Sequence, residues 1–267
     1  VISEDSVRSE LLEVYSSIED LGEEEIMVAS DLEGPFRRLD LFATQDLDER
    51  VVDALFSDPK LQPVLEGISR LRNLYGLRLE VEVAGSILEA KDPWRALRTF
   101  TFYPNYTILG KSEQEGADLK PGDTVAFLGS GPLPLSLIIL CHEHGLKGIG
   151  IERDPRWVHI SREVVERLGQ EANIEISKGD HFSFPLKEEC NLIMVAAMAR
   201  PKEEIFGHFA RVLPPGTKVS YRIYEKGLRR LLDLDSSFRP RQGFEEIRRI
   251  RPDPPVNNTV VFLERSD

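Results

Sequence analysis

At 267 residues and 30.3 kDa, with 41% hydrophobic residues, the chain can bury a full core and holds one large or two modest domains. Its net charge of −12 belongs to the front, because residues 1–60 carry 17 Asp+Glu against 5 Lys+Arg and the remainder carries 29 of each. With no aromatic-laced Lys/Arg stripe to neutralise phosphates, nucleic acid is not expected as a partner.

Helical spacing runs through the first hundred residues. Val7, Leu11, Val14 and Ile18 form one face, Val51 and Leu55 begin another, and Leu61, Val64, Ile68 and Leu71 form a third. Asp92-Pro93 reads as a cap and first turn, opening a helix that carries Trp94, Leu97 and Phe100. From about Lys120 the rhythm changes. Short β-rich runs at 124–128, 148–151, 174–177, 191–196, 217–223 and 259–264 alternate with helical segments near 134–144, 156–169, 202–212 and 226–233, which predicts a parallel sheet. The expected class is α/β, a doubly wound, Rossmann-like sheet domain over 116–267 preceded by a small all-helical domain over 1–115. Sites in such sheets open at the carboxyl ends of the strands, so the helical part is expected to cover the cofactor crevice.

The glycine turn is the chemical centre of this pattern. The apolar run Thr124–Leu128 enters Gly129-Ser130-Gly131, a helix follows, and the next strand ends in Glu152. Glycines there let the backbone turn tightly and approach a ligand, while a carboxylate at that strand end can accept from both ribose hydroxyls. The bland alternative is an ordinary tight turn between strand and helix. The third small residue of a dinucleotide motif is replaced by Pro134, which disfavours NAD, and no Gly-Lys-Ser/Thr follows for a nucleoside triphosphate. An adenosine ligand without phosphate fits best, and S-adenosylmethionine is the common one, giving a sheet domain of methyltransferase type. Asp180 in Ser177-Lys-Gly-Asp180 is placed to contact its adenine amine. Many methyltransferases carry an acid two places before the first motif glycine, and Phe127 stands there.

Four strings together resemble the nicotianamine synthase family, and most of all its archaeal members: Gly129–Ser136, Phe102-Tyr-Pro-Asn-Tyr106, Met194–Lys202 and Val256–Val260. The resemblance covers roughly residues 70–264. It implies transfer of a 3-amino-3-carboxypropyl group from S-adenosylmethionine to an amino-acid amine, with release of methylthioadenosine and formation of a metal chelator. It also implies site residues. Glu80 matches the family's proton acceptor and Tyr106 the phenol that orients the amine. Arg222 and Arg229 match arginines after the fifth strand, where a guanidinium suits a substrate carboxylate. Against these stand plainer readings: Glu80 and Glu82 as exposed helix residues flanking Leu79 and Val81, and Tyr106 as a core aromatic beside Phe100, Phe102 and Tyr103. Most of the basic cluster of Arg222, Lys226, Arg229, Arg230, Arg239, Arg241, Arg248, Arg249 and Arg251 reads as a solvated face paired with acids.

Three alternatives stay open: a single-transfer opine-metallophore synthase acting on histidine, a small-molecule methyltransferase, and a catalytically silent adenosyl-binding module. The expected acceptor is a small amino acid, glutamate or a relative, and a homodimer is possible. No metal is expected, since His142 and His144 lie two apart on a helix and the other histidines stand alone. Cys141 and Cys190 make no CxxC pair, which suits a reducing cytoplasm. The apolar run Leu133–Cys141 is too short to cross a bilayer and the N-terminus is acidic, so neither membrane span nor signal peptide is expected. The chain starts at Val1 without Met, as expected if a few residues precede it.

Overall fold

The computed structural model describes residues 3–43, 45, 47–183, 190–225, 227–236, 238–251, 256 and 258–266. Lys226 and Asn257, both within patterns noted above, lie outside the described residues. Two compact units are present: 1–79 with 223–238, and 80–222 with 239–267.

The first unit is helical. It comprises α1 (Glu4–Ser16), α2 (Glu23–Val28), α3 (Glu33–Ala43), α4 (Glu49–Ser57) and residues 62–79 of α5 (Gln62–Glu89), with a 3-10 helix over Gly227–Leu232. Ser3 starts α1 by accepting the Ser6 amide at 3.2 Å, and the expected stripe Val7, Leu11, Val14, Ile18 is fully buried. Leu61, Val64, Ile68 and Leu71 are likewise in the core. Burying each such side chain is worth about 1.5–3 kcal/mol, which is what holds this unit together. Part of the front's acidity is paired, with Arg8 on Asp58 at 2.6 Å and Arg38 on Glu10 and Glu13 at 2.8 Å.

The second unit is built on a seven-stranded sheet. Its strands are β1 (Thr124–Leu128), β2 (Lys147–Glu152), β3 (Ile174–Lys178), β4 (Leu192–Val195), β5 (Lys218–Ile223), β6 (Phe244–Ile250) and β7 (Thr259–Arg265), in the order β3-β2-β1-β4-β5-β7-β6. β2, β1 and β4 pair in parallel, as do β3 with β2 and β5 with β4. The parallel sheet expected forms over β3, β2, β1, β4 and β5, and at the far edge β6 runs antiparallel to β7. β6 went unpredicted because its charges face out, the pattern by which an exposed edge resists pairing with another chain. Helices α6 (Pro93–Arg98), α7 (Tyr103–Gly116), α8 (Leu135–His144), α9 (Pro155–Arg167) and α10 (Lys202–Val212) complete the unit. Asp92 caps α6 by accepting the Arg95 amide at 3.0 Å, and the segment expected near 226–233 is the 3-10 helix. Among the described residues, no helix is long and apolar enough to cross a membrane.

The expected division after residue 115 is displaced to 79/80. α7 packs on α8, β6 and β7, while Trp94 Nε1 donates to the Leu168 carbonyl at 3.2 Å and Arg167 Nη2 to the Ala90 carbonyl at 2.6 Å. The change from helical to alternating pattern near 115 marks where the strands begin. It does not mark which elements share a core.

Chain order leaves β1 for β2 and β3 on one side, then returns to β4 on the other. The carboxyl ends of β1 and β4 form the switch point, and a ligand crevice is expected there.

Candidate active site

β1 delivers the chain into Gly129 and Gly131, which hold left-handed φ of +80° and +68°. Only glycine adopts these angles without a Cβ cost. The amides of Gly129 and Ser130 both donate to the Ile151 carbonyl, at 2.8 and 3.2 Å, folding the turn onto the end of β2. A Cβ on Gly131 would lie 3.1 Å from Glu80 Oε2. The bare Cα therefore lets a carboxyl from α5 settle directly on the turn.

Glu152 ends β2 and faces the same turn. Its Oε2 accepts the Gly131 amide at 3.1 Å and its Oε1 the Asp154 amide at 2.9 Å, and the residue is only 8% exposed. Two backbone donors fix the carboxylate's orientation, and each oxygen keeps lone-pair capacity for a ligand hydroxyl. Asp180 follows β3, one residue after Gly179, whose amide donates to the Glu152 carbonyl at 2.9 Å. It is exposed, and its Oδ1 accepts the amides of Phe182 and Ser183 at 2.9 and 3.1 Å. Burial works against its charge, but these donors and the Ser183 hydroxyl hold it below the usual carboxylate range.

Glu80 is perturbed in the opposite direction. Withdrawal from water, and secondarily the negative charge of Glu152, push its pKa up to about 8. The side chain is half-buried as a whole, with its carboxyl turned inward onto Gly131. The reading of Glu80 as an exposed helix residue does not describe it.

Tyr106 lies in the first turn of α7, half-buried, with the Arg222 guanidinium 5.6 Å from its ring centre. Arg222 itself differs from expectation. Its Nε and Nη2 donate to the two carboxylate oxygens of Glu113 at 3.0 and 2.9 Å, and Nη2 also reaches Ser136 Oγ at 3.0 Å. One two-point edge of the guanidinium is thus taken by a carboxylate of the chain. Arg229 lies in the first unit, where its Nε donates to the Ala43 carbonyl at 2.6 Å. It ties down the end of α3, and Arg230 pairs with Glu49 and Asp53.

Two buried groups were missed in the sequence. Glu113 is 1% exposed and stands seven residues after Tyr106, hence on the same face of α7, where an acid among Leu109 and Gly110 is the detectable signal. Lys202, also 1% exposed, donates Nζ to the carbonyls of Ala196, Ala197 and Ala199 at 2.7–3.3 Å. That loop follows β4 and packs its Ala196 and Ala199 methyls against Gly129. Cys141 is core, its thiol pushed up to about 12 by burial, and His142 stacks on Trp94 at 4.0 Å.

The donor set can be tested against an adenosyl sulfonium. Pro134 precedes α8 and has no N–H to offer a phosphate, and two acidic side chains face the turn. Such a site repels a pyrophosphate and attracts a cation. Glu152 for the ribose and the bare glycine turn for the nucleoside fit S-adenosylmethionine.

The family model for nicotianamine synthase protein matches residues 3–267. The chain belongs to the nicotianamine synthase family. As a member it is an S-adenosylmethionine-dependent aminocarboxypropyl transferase. "Probable nicotianamine synthase 4" of Hordeum vulgare is 26% identical over 248 residues, covering 81% of this chain and 74% of the relative. "Nicotianamine synthase 2" of Oryza sativa subsp. indica is 27% identical over 251 residues, covering 81% and 76%. Among solved structures, MtNAS in complex with MTA and tNA superposes with a TM-score of 0.86 at 28% identity, covering 98% of both chains. A Glu-to-Gln variant of MtNAS in complex with S-adenosylmethionine gives 0.86 at 28%, covering 97% and 98%. The resemblance read from four strings therefore extends to the whole nicotianamine synthase fold.

Proposed function

We propose that this nicotianamine synthase family member moves the aminocarboxypropyl group to the amine of a small amino acid, glutamate or a relative, with Glu80 as proton acceptor and Tyr106 orienting the amine. The observation that carries the reading is the Glu80 carboxyl set on Gly131, withdrawn from water and facing Glu152. A carboxyl with pKa near 8 is matched to taking a proton from an ammonium at neutral pH. Glu152 accepts from the ribose hydroxyls and Asp180 accepts from the adenine amine. Arrival of a sulfonium beside Glu80 favours its ionised form, so the donor itself readies the base.

The acceptor's ammonium gives its proton to the Glu80 carboxylate. Its nitrogen lone pair then bonds to the γ-carbon of the methionine moiety while the C–S bond breaks, its electron pair staying on sulfur, and neutral methylthioadenosine leaves. Tyr106 supplies placement, which provides most of the rate in such a displacement. The likeness to MtNAS, whose complexes hold S-adenosylmethionine in one case and MTA with tNA in the other, supports this reading. The free thiols Cys141 and Cys190 suit work in a reducing cytoplasm. A homodimer is compatible with the reading and not required by it.

The test is product identity. With S-adenosylmethionine and a panel of amino acids including glutamate and histidine, mass spectrometry is expected to find methylthioadenosine together with an aminocarboxypropyl adduct. S-adenosylhomocysteine as the product would replace the reading with methylation. No product with any acceptor would replace it with a silent binding module.

A further inference from the structure

We infer that the buried pair Glu113–Arg222, with Ser136 on the same guanidinium, is the device that positions Tyr106, so that Glu113 and Arg222 are positioning residues of the transfer reaction. The inference rests on the role given to Tyr106 above. Its basis is the arrangement of three elements around one guanidinium. Glu113 lies on the same face of α7 as Tyr106, two turns further along. Arg222 comes from the end of β5 and binds both oxygens of Glu113 at 3.0 and 2.9 Å. Its Nη2 also reaches Ser136 Oγ at 3.0 Å, in the first turn of α8, five residues beyond Gly131. The guanidinium carbon also lies 5.6 Å from the centre of the Tyr106 ring, within cation–π range. One cation therefore fixes the phenol's helix, the end of β5 and the helix that leaves the cofactor turn.

The burial of these groups argues for a specific purpose. Glu113 and Ser136 are each 1% exposed and Arg222 7%. A buried ion pair contributes little net stability compared with apolar residues of the same volume, so its value lies in selecting one geometry. α7 is already pressed onto α8, since a Cβ on Gly110 would lie 2.8 Å from Ile139 Cγ2. Packing brings the helices together, and the fork of hydrogen bonds fixes their rotation and register. A guanidinium held at two points is not replaceable by an ammonium, which lacks the fork.

The test is a double-mutant cycle on kcat, with S-adenosylmethionine affinity measured separately by calorimetry. Arg222→Lys is expected to lower kcat about tenfold while leaving donor affinity within about twofold, because placement is lost and the cofactor contacts are not. Glu113→Met with Arg222→Met, an apolar pair that keeps the volume and leaves no buried charge, is expected to fold and show the same loss. In a Tyr106→Phe background, either change is expected to cost less than about twofold further, since the group it positions is already gone. A full loss in that background, or a donor-affinity loss that matches the kcat loss, would make the pair a general structural element and overturn the inference. If Tyr106→Phe alone leaves kcat unchanged, there is nothing to position, and both this inference and the role of Tyr106 fall. If Tyr106→Phe slows transfer but the cycle is additive, only the positioning fails. Ser136→Ala, the mildest change, is expected to give a smaller kcat loss of the same kind, and an affinity loss instead would also overturn it.

Discussion

Two carboxyl groups in the second unit are taken out of water and put to opposite use by what faces them. Glu113 meets a guanidinium that donates two parallel hydrogen bonds, so its charge is matched and its position fixed. Glu80 lies on the edge of Gly131 with no cation beside it among the described residues, and withdrawal from water, helped by the negative charge of Glu152, disfavours its ionised form and lifts its pKa to about 8. The lesson is that burial alone assigns no role to an acid. A partnered buried acid holds elements in register, whereas one placed against a like charge is poised to exchange a proton.

The largest way to disturb this contrast is to remove the like charge. Glu152→Ala is expected to weaken S-adenosylmethionine binding about 100-fold, the cost of two charge-assisted bonds to the ribose, measured by calorimetry. The same variant sharpens the comparison, because Glu80 loses the coulombic part of its perturbation and its titration is expected to move below about 8, with the burial part remaining. An unchanged donor affinity would show that Glu152 does not bind the ribose. A smaller effect concerns stability. A carboxyl raised from 4.5 to about 8 binds a proton more tightly folded than unfolded, so its stabilising contribution is present below the unfolded value and is lost as pH rises through about 8. Glu80→Gln keeps the neutral shape and is expected to raise the melting temperature by about 2 °C or more at pH 9, with little change at pH 4. Equal melting temperatures at pH 9 would mean that Glu80 is not held in a destabilised state.

Much of this arrangement was legible in the sequence because it is local. β1 at 124–128 and α10 at 202–212 fall where turn residues and periodicity put them, and the Gly129/Gly131 turn with Glu152 at the next strand end is a pattern of short spacings. Three features resisted for physical reasons. β6 lacks alternation because it is a charged edge strand. The unit boundary falls inside α5, since α7 packs on β6 and β7 and α6 is tied to α8 and the end of α9, while both have helical periodicity like the elements before them. The partner of Arg222 is 109 residues away in α7, a separation at which no local rule reports contact, so its fork was expected to donate to a substrate carboxylate where the chain supplies its own. Asp180 was expected to contact adenine. It closes a turn with its own Oδ1 and presents an exposed carboxylate beside the end of β2.

The central claim is that Glu80 is the group whose ionisation permits transfer, and the pH dependence of kcat/KM tests it most directly, since that parameter reports the free enzyme's essential groups. The wild-type profile is expected to rise toward a plateau with an apparent pKa near 8, and Glu80→Gln is expected to be slower by about 100-fold or more with that ionisation gone, while still binding S-adenosylmethionine. A Glu80→Gln enzyme that keeps both the rate and the rise near pH 8 would contradict the account.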